Sequence, residues 1–185
     1  MPEENGRTLR TMGADFDYDP VAPVPPRPRI MQLLYNDYVE SGEEYNKIRG
    51  IDQPIPQWRQ EWEDHTFGLN EDGTYPHRYN NLNLGWFAKE GKQAGTFQKF
   101  GRGGVPHRLG MAFDALGLVI NPRKPESAGL LGHWFDCVQE TVQMGPYEKK
   151  VWFPILYHGA EQPDIAVATG KERDTTLVTA AEDSW

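Results

Sequence analysis

The chain has 185 residues, and its 19 Lys and Arg against 27 Asp and Glu leave a net charge of −8, which opposes general attraction to nucleic-acid backbones and anionic membranes. Hydrophobic residues make up 38% while aromatics reach 12%, so the apolar content is concentrated in a few large rings of the kind that build small cores and interfaces. A single cysteine, Cys137, excludes an intrachain disulfide and any cysteine-rich metal site, and fits a reducing compartment.

In chain order, residues 1–29 read as an extended arm. Asp15 to Arg29 runs DFDYDPVAPVPPRPR, in which prolines remove backbone donors and fix φ, leaving a strip that cannot bury itself against itself. Phe16 and Tyr18 are its expected anchors. The first twelve residues, MPEENGRTLRTM, lack the apolar middle of a secretory signal, so an intracellular site, mitochondrial or in another organelle, is expected rather than secretion.

Residues 30–104 read as a helix followed by a loop-rich aromatic region. Ile30, Leu33, Leu34, Tyr38, Tyr45 and Ile48 recur at helical spacing, which predicts a helix over 30–49 stopped by Gly50. Gln57 to Thr66 predicts a short acidic helix with Trp58 and Trp62 four apart on one face. From Phe67 to Phe100, glycines and asparagines punctuate the aromatics, which predicts loops and a short hairpin.

Residues 105–185 read as a small α+β fold that anchors the rest. Pro106 opens a predicted helix with Leu109, Ala112, Phe113 and Leu116 on one stripe and Gly117 at its end; Leu118 to Asn121 suits a short strand. Ser127 to Met144 predicts an amphipathic helix through Leu130, Leu131, Trp134, Phe135, Val138 and Val142, closed by Gly145 and Pro146. Strand text then follows in VWFPILY, DIAVAT and TTLVTA, with Pro154 marking the first run as an edge or bulged strand. The expected fold class is therefore α+β: an extended N-terminal arm rich in proline and aromatics, few helices, and a small C-terminal antiparallel meander packed on an amphipathic helix. The longest apolar stretch, Leu109 to Ile120, is interrupted by Asp114 and falls short of the roughly 20 residues that cross a bilayer.

Three constellations bear on chemistry. His133 and Cys137, four apart on the predicted helix, suggest a nucleophile and base, although the same pattern suits a packed cysteine beside a boundary histidine and no glycine-rich oxyanion turn accompanies it. Glu61 and His65 share a predicted helical face, yet no third histidine stands near, so neither a metal nor a cofactor is expected. The run GKQAGTFQKFGRGGVPHR, 91–108, alternates Lys92, Lys99, Arg102 and Arg108 with Phe97 and Phe100. A cationic, aromatic loop of this kind either stacks single-stranded RNA or docks on an acidic protein patch, and the overall charge favours the protein.

Charge is also polarised along the chain. Residues 37–72 hold ten acids and three bases, net −7, whereas residues 89–108 hold five Lys or Arg and one Glu, net +4. Such polarity suits docking on a partner or an intramolecular meeting of the two runs. The expectation is a non-catalytic structural or accessory subunit of a large intracellular assembly, of the organellar energy-converting, respiratory type, with Phe16, Tyr18, Trp58, Trp62, Trp86, Phe97 and Phe100 as interface residues. A small enzyme using His133 and Cys137, and an RNA-contacting subunit working through 91–108, are the alternatives.

Overall fold

The computed structural model describes residues 27–144 and 147–165. The chain is mostly β, broadly α+β with few helices. Its elements are β1 (Arg29–Glu40), α1 (Glu43–Arg49), β2 (Pro56–Asp64), β3 (His77–Asn83), β4 (Gly85–Phe87), β5 (Phe97–Lys99), α2 (Val105–Ala115), a 3-10 turn (Pro125–Ala128), β6 (Trp134–Met144) and β7 (Tyr147–Gly159). Five strands form one antiparallel sheet in the order β3-β2-β1-β6-β7, and β4 pairs with β5 in a separate ribbon.

Three predicted helices are strands. In β2, Trp58, Gln60, Trp62 and Asp64 are buried on one face while Arg59, Glu61 and Glu63 face outward. Residues i and i+4 share a face in a strand as they do in a helix, so the Trp58–Trp62 spacing fits both, and the buried Gln60 between them hides the alternation. In β1 the register shifts between Leu33 and Tyr35, which breaks the period of two and mimics helical spacing. In β6 both faces are covered at the start, with Trp134 edge-on to His65 and Phe135 edge-on to Trp62, so no alternation survives. The predicted helix over 30–49 survives only as α1, and the expected strand at 118–121 is irregular.

Other expectations hold. α2 starts at Val105 with Pro106 in its first turn, Leu109 and Phe113 point into the core, and Gly117 follows with φ +77°. β7 is the VWFPILY strand. It ends the sheet order and shifts register against β6 beside Pro154. Of the meander expected beyond it, in DIAVAT and TTLVTA, the residues from 166 onward lie outside the described residues, as do residues 1–26 of the expected arm with Phe16 and Tyr18, while Arg29 already belongs to β1. No helix among the described residues is long and apolar enough to cross a membrane.

The core draws on both sides of residue 105. Trp58, Trp62, Phe113 and Phe135 form its centre, with Phe113 lying 6.2 Å from Trp58, 6.5 Å from Trp62 and 5.7 Å from Phe135, centroid to centroid. These tilted, stacked and edge-to-face contacts seat α2 on the inner face of the sheet. Trp58 and Trp62, expected at an interface, are fully buried here.

The sheet curls until its two outer strands meet, where Lys149 of β7 donates to the carbonyl of Asn81, Arg78 of β3 lies over the Trp152 ring, and Asn80 makes two bonds to the backbone of Trp152. Asn80 of β3 accepts the N–H of Trp152 in β7 at 2.9 Å and donates to the carbonyl of Trp152 at 2.8 Å, standing in for a backbone pairing. Its amide also donates to Gln60, which in turn donates to Asn36, the acceptor of the Trp58 indole N–H. Asn36 finally donates to the carbonyl of Pro125, so a continuous row of carboxamides crosses the interior with its hydrogen bonds satisfied.

Candidate functional site

The site grows from the ribbon that follows β3. Leu84 donates its N–H to the carbonyl of Pro56 at 2.9 Å and accepts from the N–H of Phe100 at 3.2 Å, which pins both legs of the ribbon to the end of β2. Gly85 is paired with Lys99, and a Cβ there would lie 2.1 Å from the carbonyl oxygen of Gln98 and 2.5 Å from the Phe97 ring. Only hydrogen fits, which is what lets β4 and β5 approach so closely. Gly104 permits a similar close approach just before α2, where a Cβ would lie 2.9 Å from that of Phe100.

Ring contacts brace the ribbon: Trp86 lies 5.1 Å from Phe100, and Phe87 lies 5.4 Å from Phe97 at an interplanar angle of 62°. A cleft of about 630 Å³ opens on the side of Phe97 and Phe100. Its walls come from six parts of the chain: Tyr38 at the end of β1, Pro56, Leu84, the β5 segment with Phe97, Lys99 and Phe100, Pro106 and His107 in the first turn of α2, and the loop Asn121 to Arg123. A second hollow of about 550 Å³, on the side of Trp86 and Phe87, is lined also by Arg49, Asp52, Ile55 and Lys89.

The first cleft is cationic. Lys99 and Arg123 are exposed in it beside the imidazole of His107, and among the described residues neither an Asp nor a Glu lines it. Among the described residues, Lys92, Lys99, Arg102 and Arg123 take part in no ion pair, and no ion pair joins the acidic run 37–72 to the basic run 89–108. The acidic run is instead engaged with its own neighbours. Buried Asp64 holds Arg78 at 3.2 Å and Arg29 at 3.7 Å, while Glu61 and Glu63 meet His77 and His65. Burial lowers the Arg29 pKa, with Asp64 pulling it back, and its guanidinium lies 4.0 Å over the ring of Phe67.

Of the residues expected to act together, Phe97, Phe100 and Lys99 converge on the cleft and Trp86 backs them. Lys92 and Arg102 are exposed nearby without lining it. Arg108 points away, bonding Glu140 at 2.8 Å across the ring of Phe153. Sequence reasoning missed Tyr38, assigned to a helical stripe, and Arg123, although Asn121-Pro122-Arg123-Lys124-Pro125 carries a turn signal with two cations in it.

The Cys137 and His133 pair does not form a dyad. Cys137 is fully buried in β6, its thiol pKa pushed well up, chiefly by burial. His133 stacks on Tyr157 and meets its hydroxyl at 2.6 Å. Four residues of extended chain span roughly 13 Å, so strand geometry separates what a helix would have juxtaposed. Glu61 and His65 are likewise strand neighbours: Glu61 bonds His77 at 2.5 Å and His65 bonds Glu63 at 2.6 Å. Among the described residues no group of three or more His, Cys, Asp and Glu is placed to hold a metal ion.

Compared with protein-family models, curated proteins and solved structures, the chain matches none.

Proposed function

We propose that this chain is a non-catalytic accessory subunit that docks on an acidic region of another protein in a larger assembly, through the cleft beside the β4–β5 ribbon. One observation carries the reading: two cationic side chains, a histidine and three aromatic rings converge on an open cleft that no Asp or Glu among the described residues lines. Of the two explanations for the polarised charge, an internal meeting of the runs finds no ion pair among the described residues, which leaves a partner as the better account. The buried thiol argues against the Cys137 enzyme, since an inaccessible, protonated sulfur is a poor nucleophile.

Size-exclusion chromatography of native extract, with mass determination, tests this. The wild-type chain is expected in a species well above its own 21.1 kDa, and the double variant Lys99→Glu, Arg123→Glu at monomer size. Wild-type protein running alone at that size overturns the reading. A cleft-dependent, salt-sensitive gel shift with single-stranded RNA would move the assignment to nucleic acid.

A further inference from the structure

We propose that the cleft recognises an extended acidic segment of the partner carrying a single aromatic anchor, the ring entering among Tyr38, Phe97 and Phe100 while carboxylates on either side of it meet Lys99, His107 and Arg123. This rests on the docking reading and specifies what is docked. At about 630 Å³ the cleft falls in the size range of sites that enclose a ligand of a few tens of atoms, enough for one large side chain and the backbone beside it rather than for a folded surface.

Both halves of the recognition are set up before binding. Trp86 and Phe87 support Phe100 and Phe97 from behind, so their free faces are held in place without the incoming ring, and an inserted aromatic gains edge or offset contacts at little ordering cost. Two cations, Lys99 on β5 and Arg123 in the 121–123 loop, and the His107 imidazole on α2 are spread over three segments around the rings. That arrangement suits several separate carboxylates along a peptide better than one compact anion. A nucleic acid would need a longer basic track, and it would meet the repulsion of the acidic run at 37–72 and of a chain with net charge −8.

Fluorescence anisotropy on the full chain tests the specification with a labelled peptide of one tryptophan flanked on each side by two aspartates. Saturable binding below about 1 mM is expected, weakened at least tenfold when the tryptophan is replaced by alanine, when the aspartates are replaced by asparagine, or when the protein carries Lys99→Glu. Arg123→Glu, in a surface loop, gives an independent reading should Lys99→Glu disturb the ribbon. Three results would overturn the inference: no binding, binding indifferent to both protein variants, or preference for a uridine decamer over the peptide. If the native complex still requires Lys99 and Arg123 while the peptide fails, docking stands and this specification alone falls.

Discussion

At the scale of single residues, chemistry here is decided by burial. Cys137 is enclosed in β6, and its thiol is held protonated well above the 9.0 of a free cysteine. Above pH 9.0 the unfolded chain releases that proton while the folded chain keeps it, so the thiol contributes stability at neutral pH that is lost as pH rises. Lys149 acts with the opposite sign: burial lowers its pKa below 10.5, so the unfolded chain holds the proton longer and stability gains as pH approaches 10.5. Comparing wild type with Cys137→Val isolates the thiol. Between about pH 8 and pH 10 the urea midpoint of wild type should fall relative to that of the variant, and native wild type should react with a disulfide reagent roughly a hundredfold slower than the denatured chain. A fast-reacting native thiol would revive the enzyme reading.

At the scale of elements, the β4–β5 ribbon depends on a missing side chain. Its two strands are three residues each, too short to hold without the rings and the close pairing at Gly85. Because the first obstacle to a Cβ is the backbone oxygen of Gln98 and not a flexible tip, Gly85→Ala must open the ribbon and displace Phe97. The expected result is modest destabilisation, about 1 to 3 kcal/mol by urea denaturation, with at least tenfold weaker binding of the acidic peptide. Unchanged affinity in Gly85→Ala would mean that Phe97 is not within the docking surface. α2 and β7 were legible in sequence because each carries punctuation that is local: Pro106 and Gly117 for the helix, a β-rich run with Pro154 for the strand. β1, β2 and β6 were not, since a register shift, a buried glutamine and double-sided burial each erased the alternation by which strands are recognised.

At the scale of the whole molecule, Asn80 makes the buried side-chain bonds between the outer strands of the curled sheet, beside Lys149 on the Asn81 carbonyl and Arg78 over the Trp152 ring. Asn80→Leu keeps the branched heavy-atom shape, at a larger volume, but strands the N–H and carbonyl of Trp152 and the side-chain amide oxygen of Gln60 in the interior, a loss of about 3 kcal/mol where a domain has only about 5 to 15. A urea midpoint barely moved by this substitution would mean that the contact between the outer strands is incidental. The same closure seats α2 against Trp58, Trp62 and Phe135 and so aligns His107 with a ribbon and a loop that are separate from it in the chain.

Composition by itself settled the absence of an intrachain disulfide and the separation of an acidic run from a basic one, and local punctuation settled α2 and β7. Whether 29–40, 56–64 and 134–144 would be helix or strand was decided only by tertiary pairing, because a four-residue spacing satisfies both periodicities until a neighbouring strand supplies hydrogen-bond partners. The cleft was settled there too: Tyr38, Lys99, His107 and Arg123 belong to separate segments, and only a closed sheet with its helix in place brings them to one end of the molecule.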